Sequence, residues 1–135
     1  MFRSLRSRRS DDARAPYDPR ELLRAYERHA TREVRPGGDL LIGIPLRDGN
    51  TLEVTVPDPS ADWIDSRVRG LCTSLGEMDR RAQRTLRGEF CIGWIELDST
   101  HHGTIDYWAI GVNSEYAVDI AWTGNGWEES PTATD

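Results

Sequence analysis

Lysine is absent: all 17 basic residues of this 135-residue chain are arginine. Arginine in turn is missing from residues 88–135, which carry 9 Asp and Glu and a local net charge of −9. Residues 1–36 hold 10 Arg against 6 acids, and residues 37–87 hold 7 Arg against 8. The formal net charge of −6 therefore averages a mildly basic start and a strongly acidic end. An acidic chain whose last third has no arginine lacks the phosphate contacts that dominate nucleic-acid affinity, which excludes nucleic acid as an expected partner. Apolar runs are short as well; none approaches the roughly 20 residues needed to cross a bilayer, so no membrane partner is expected. Cysteine is sparse. Cys72 and Cys91 form no CxxC, and the expectation is two buried free thiols, the usual state inside a cell. The basic start lacks the apolar core of an export signal, since Asp11-Asp12 follow Arg8-Arg9 where a hydrophobic stretch belongs. No Asn-x-Ser/Thr sequon is present. The expected location is the cytoplasm.

Catalytic signatures are missing too. There is no Gly-x-Ser-x-Gly, no His-Glu-x-x-His and no phosphate-cradling glycine loop, and Gly124-Asn125-Gly126 precedes no helix. Cys72 and Cys91 sit in a helical and a strand pattern and fit buried packing better than a nucleophile with a base. His101-His102, with Asp98 and Asp106 nearby, form the one cluster of catalytic residue types. Adjacent residues of an extended chain point apart, so the plain reading of this pair is a polar hairpin tip. The alternative is a small enzyme or metal-binding protein that uses His101 and His102. No catalytic residue and no cofactor is expected on the first reading. His29 reads as a half-exposed structural histidine.

What is present is a pattern of about one domain. Residues 1–16, with five Arg and two Asp, read as a flexible basic leader, residues 17–128 as a single α+β domain, and residues 129–135 as a flexible tail. Asp18-Pro19-Arg20-Glu21 is a helix start: a capping Asp, Pro at the first turn and Glu reaching back. Leu22, Leu23, Tyr26 and Ala30 give a helix over about 18–33, stopped by Pro36-Gly37-Gly38. Leu40–Leu46 and Thr51–Val56 read as two strands around an Asp48-Gly49-Asn50 turn, with Pro45 marking an edge strand or a bulge. Asp58-Pro59 repeats the capping pattern, and apolar residues at 63, 64, 68, 71, 72, 75, 78, 82 and 86 predict a long helix, which Gly76 divides or leaves whole. Phe90–Leu97, Thr104–Val112 and Glu115–Trp122 read as strands, and Trp127 as the start of a short one. The expectation is an α+β fold in which an antiparallel sheet of about four to five strands packs on a long or broken helix, with an extra N-terminal helix, in the order α-β-β-α-β-β-β.

Within that sheet, Glu96, Asp98, Asp106, Glu115, Asp119 and Glu128 gather acidic charge with no Lys or Arg in the segment. Tyr107 and Trp108 must face opposite ways, which leaves an aromatic beside the acids. Acid with exposed aromatic suits protein binding, and Glu96, Asp98, Asp106, Trp108, Glu115, Asp119 and Glu128 are the candidate partner-binding residues.

The stretch Tyr107-Trp-Ala-Ile-Gly-Val-Asn-Ser-Glu-Tyr-Ala-Val-Asp-Ile120, followed by Gly126-Trp127, resembles the ending of small uncharacterised bacterial α+β domain families: a strand, a Val-Asn-x-Glu-aromatic turn, a second strand and a Gly-Trp hairpin. Some of those families resemble immunity proteins of polymorphic toxins. The match lies within Ile105–Trp127 and brings no catalytic residues. It implies a non-enzymatic inhibitor that meets a protein partner, a basic toxin domain, through the acidic sheet. A third reading, a subunit or adaptor of a larger complex docking by its first helix, stands beside these.

Overall fold

Asp18 closes the start of the first helix, its side chain accepting a hydrogen bond from the Glu21 N–H at 3.1 Å. The helix, α1, runs Pro19–His29. It is shorter than its sequence pattern suggests. Ala30 leaves helical geometry with φ −67° and ψ 143°, and the chain passes directly into a strand, β1 (Thr31–Val34). Thr31 and Val34 are β-branched and favour that conformation. β2 (Leu40–Pro45) and β3 (Thr51–Val56) follow, then a single long helix, α2 (Ile64–Leu86). The chain ends in β4 (Phe90–Leu97), β5 (His102–Ala109), β6 (Glu115–Trp122) and β7 (Trp127–Glu129). This computed structural model describes residues 17–86, 90–109 and 115–130. The basic leader 1–16, the turn at Asn113-Ser114 and most of the expected tail lie outside the described residues.

The expected sheet is corrected on three counts. It has seven strands in the spatial order β1-β2-β3-β4-β5-β6-β7, so the element order is α-β-β-β-α-β-β-β-β. The unexpected strand is the short edge β1, hidden at the end of a helical pattern, while β7 is the short strand that Trp127 begins. The sheet is also not wholly antiparallel. β3 and β4 run parallel, with Val54 opposite Ile95 and Thr55 opposite Glu96, because α2 carries the chain back across the sheet between them. Pro45 sits in an interior strand, yet at its last residue, past the point where β1 stops pairing at Gly43, so no neighbour on that side requires its missing N–H.

Asp58-Pro59 does not cap α2. Asp58 instead accepts hydrogen bonds from the Ser60 N–H and hydroxyl at 3.0 and 2.8 Å, a local turn that competes with helix initiation. Gly76 does not divide the helix. A Cβ there would come within 2.8 Å of the Tyr17 carbonyl oxygen, so glycine lets the chain entering α1 lie directly on α2.

Both helices lie on one side of the sheet. Leu22 and Tyr26 of α1, Val68, Leu71, Cys72 and Leu75 of α2, and Ile42, Val54, Ile95, Ile105, Tyr107 and Ile120 of the sheet form one buried cluster. Full burial of each aliphatic side chain of this kind contributes about 1.5–3 kcal/mol. α1 is part of that layer: the Tyr26 hydroxyl donates to Asp65 at 2.8 Å, and Arg69 bridges Asp65 and Glu27 between the helices. Its apolar stripe is therefore used within the chain, with Leu22 only 1% exposed. His29 is exposed.

Candidate functional site

The helices cover one sheet face and leave the other open. Alternation along each strand decides which residues lie there. On β5 the buried set is Gly103, Ile105, Tyr107 and Ala109, which places His102, Thr104, Asp106 and Trp108 on the open face. On β6 Val118 and Ile120 are buried, so Glu115, Ala117, Asp119 and Ala121 are open. Tyr107 and Trp108 do divide between the faces: Tyr107 is fully buried and Trp108 is 43% exposed.

Register then assembles rows across the strands. Cys91, Trp108 and Glu115 are consecutive partners; so are Trp94, Asp106 and Ala117, and Glu96, Thr104 and Asp119. His102 pairs with Ala121, which pairs with Glu128. The parallel register extends the rows onto β3, placing Thr55 beside Glu96 and Glu53 on the Trp94 side. Cross-strand neighbours on one face stand about 4.5–5.5 Å apart at Cβ, within reach of shared ligands. Glu96, Asp106, Trp108, Glu115, Asp119 and Glu128 are thus brought onto one surface. Asp98 lies at its border, at the end of β4, where it accepts from His102.

β4 has a bulge between Ile92 and Trp94. The extra residue, Gly93, shifts the alternation, so that Cys91 and Trp94 both face outward while Ile92 and Ile95 face the helices. A Cβ on Gly93 would lie 2.4 Å from Cδ1 and Nε1 of Trp108. The indole of Trp108 occupies the volume that this glycine leaves empty. The bulge also overturns the expectation of two buried thiols: Cys72 is buried and its thiol is pushed up to about 12 by desolvation, whereas Cys91 is exposed. They are not bonded to each other.

Trp94 and Glu53 are members of this surface that sequence reasoning missed. Trp94 is 36% exposed, and Gly93 is the one signal that could have found it, since glycine inside a strand marks a bulge. Glu53 belongs to a distant hairpin, and the parallel pairing that brings it in has no local signature. Of the other tryptophans, Trp127 is in the core and donates its indole N–H to the Arg67 carbonyl at 3.0 Å. Trp122 packs edge-on against it, under the Arg67 guanidinium.

Electrostatically the surface is lopsided. The carboxylates of Glu96, Asp106 and Glu115 have no hydrogen bond or ion pair with any described residue. Partial burial and the neighbouring Glu115 charge raise the Asp106 carboxyl above its ordinary value. His102 is the cation-capable residue of the four strands' open side. Its Nδ1 lies 2.8 Å from Asp98 Oδ1 and its Nε2 3.6 Å from Asp119 Oδ1. The Asp98 hydrogen bond, aided by both carboxylate charges, holds the imidazole above its ordinary value. His101 turns away and meets the Thr100 hydroxyl at 3.1 Å. Among the described residues no group of three or more His, Cys, Asp and Glu is placed to hold a metal ion. The His102–Asp98 pair belongs to a tight turn, with the Asp98 and Ser99 N–H groups both donating to the His102 carbonyl.

No protein-family model, curated protein or solved structure matches the chain significantly. Among the described residues, no helix is long and apolar enough to cross a membrane.

Proposed function

We propose that this chain is a non-enzymatic protein-binding domain, an immunity-type inhibitor that meets a basic toxin domain with the open face of β4–β7. One observation carries the reading: a sheet face left uncovered by the helices presents Glu96, Asp106, Glu115, Asp119 and Glu128 together, with Trp94 and Trp108 exposed among them. Like charges gathered on one face repel one another, so the arrangement costs stability in the free chain and is relieved by a cationic partner. Such a field also speeds encounter, and exposed indoles supply the desolvated anchors that charge by itself does not. The likeness of Tyr107–Trp127 to immunity-type endings supports the same reading.

The test is growth rescue. Where a large protein is encoded beside this chain, that protein is expressed with and without it. The expected result is toxicity relieved by the wild-type chain and restored by Asp119→Lys, with both forms folded by circular dichroism. Affinity should fall as NaCl rises, because exposed charge pairs are screened over about 10 Å at 0.1 M salt. Rescue and affinity that ignore both Asp119→Lys and salt would remove the acidic face from the explanation.

A further inference from the structure

Two indoles and four carboxylates lie in adjoining rows of the open face. Trp94 has Asp106 as its β5 partner and lies beside the Glu53 position of β3. Trp108 has Glu115 as its β6 partner, and Asp106 and Glu96 stand two residues along the same strands from the two indoles. Among the described residues beside them, Cys91, Gly93 and Ala117 are small.

We infer that the surface formed by Trp94, Trp108, Asp106 and Glu115 around the Gly93 bulge is an anchoring site for one arginine side chain of a protein partner. The inference rests on the protein-binding reading above and narrows it to a side chain. A guanidinium matches both components. Its flat face stacks on indole, and its edge donates paired hydrogen bonds to carboxylates. An ammonium fits the charge but not the planar geometry. An apolar segment would desolvate Asp106 and Glu115 without giving them a donor, at a cost that its contact with the indoles does not offset. Charge complementarity thus selects a cation, and the exposed indoles select a planar one. The role of Gly93 follows: with no Cβ, β4 lets the Cδ1–Nε1 edge of the Trp108 ring close directly onto the strand, which fixes the ring's position on this surface.

The test uses the full chain, 15N-labelled, at low salt. The probe is a blocked tetra-arginine peptide, compared with the tetralysine and tetracitrulline peptides. The indole N–H resonances are followed after assignment with Trp94→Phe and Trp108→Phe. The expected result is saturable movement of the Trp94 and Trp108 signals by tetra-arginine, weaker binding of tetralysine and none of tetracitrulline. Trp108→Leu and the double change Asp106→Asn/Glu115→Gln should each weaken tetra-arginine about tenfold. Gly93→Ala displaces the Trp108 ring while retaining it, and should weaken the peptide too, which keeps the test sound if Trp108→Leu fails to fold. Equal affinity for arginine and lysine peptides, affinity untouched by Trp108→Leu, or no binding at low salt overturns the anchor. Growth rescue that depends on Asp119 but survives Trp108→Leu removes the arginine site and leaves the acidic-face reading standing. Peptide binding at Trp108 without growth rescue does the reverse.

Discussion

The Asp79 carboxylate joins the helical layer to the sheet, and its removal has a calculable cost. Asp79, on α2, is partly buried and accepts a hydrogen bond from the Tyr107 hydroxyl at 2.8 Å and one from Gln83 Nε2 at 3.2 Å. Gln83 also donates to the Phe90 carbonyl at 3.1 Å, so one cluster ties α2 to β4 and β5. Tyr107 is fully buried, and Asp79→Ala strands its hydroxyl without an acceptor. An unsatisfied buried donor costs about 1–3 kcal/mol, and that is the expected loss in a urea unfolding experiment. Asp79→Asn keeps an acceptor oxygen and removes the charge. Desolvation holds the Asp79 carboxyl above its ordinary 3.8, more than its two hydrogen bonds and the Arg80 charge lower it. A carboxyl raised in the folded state binds its proton more tightly there than in the unfolded chain. It therefore adds stability that is full below the unfolded value and is lost as pH rises through the folded value. Wild type should lose ground to Asp79→Asn across that window, by at most about 1.4 kcal/mol per pH unit, the slope of one proton. The difference should be level on either side. A difference that is flat throughout, or that moves in favour of wild type as pH rises, would refute the assignment of desolvation as the dominant influence on Asp79.

Further expectations can be checked with simple measurements. Gly103→Ala should cost about 1–3 kcal/mol or more, because its Cβ would meet the Glu96 carbonyl oxygen at 2.7 Å and Leu97 Cδ2 at 2.9 Å, and backbone cannot move aside cheaply; thermal melts report it. In the native chain Cys91 should react with a thiol reagent while Cys72, buried and hard to ionise, should react only on unfolding, giving one modified thiol by mass spectrometry. In an NMR titration His102 should have its midpoint above 6.5, and Asp98→Asn should bring it down. The sign for stability is that of a raised histidine: the His102–Asp98 contribution is full below about 6.5 and fades as pH rises through the folded value. For binding the effect runs the other way on a basic partner, whose affinity should fall as His102 gains its proton and adds positive charge to the open face.

Much of the architecture was legible because it rests on local chemistry. The Asp18-Pro19 cap, the apolar spacing of α2 and the alternation of β6 each state an element in a few residues. The failures have physical causes as well. β1 is four residues long and continues from a helix without a turn-forming pair, so its only advertisement is a slight excess of β-branched side chains. Asp58-Pro59 carries the same signal as Asp18-Pro19, yet Ser60 diverts the carboxylate into a turn. Gly76 reads as a helix breaker until the neighbouring segment that requires its lack of a side chain is in view.

The acidic character of the last third is a property of the chain before it folds, since no lysine or arginine occurs after Arg87. Strand alternation likewise separates Tyr107 from Trp108 without any tertiary information. Which residues become neighbours was decided only in three dimensions. The crossover through α2 sets β4 parallel to β3 and brings the Glu53 position to the Trp94 side of the sheet, although the two residues are 41 positions apart. The bulge at Gly93 turns Cys91 and Trp94 to the open face and makes room for Trp108. Periodicity reports the faces of a single element, and pairing register reports who stands beside whom. The candidate surface depends on the second, because its rows are built across strands.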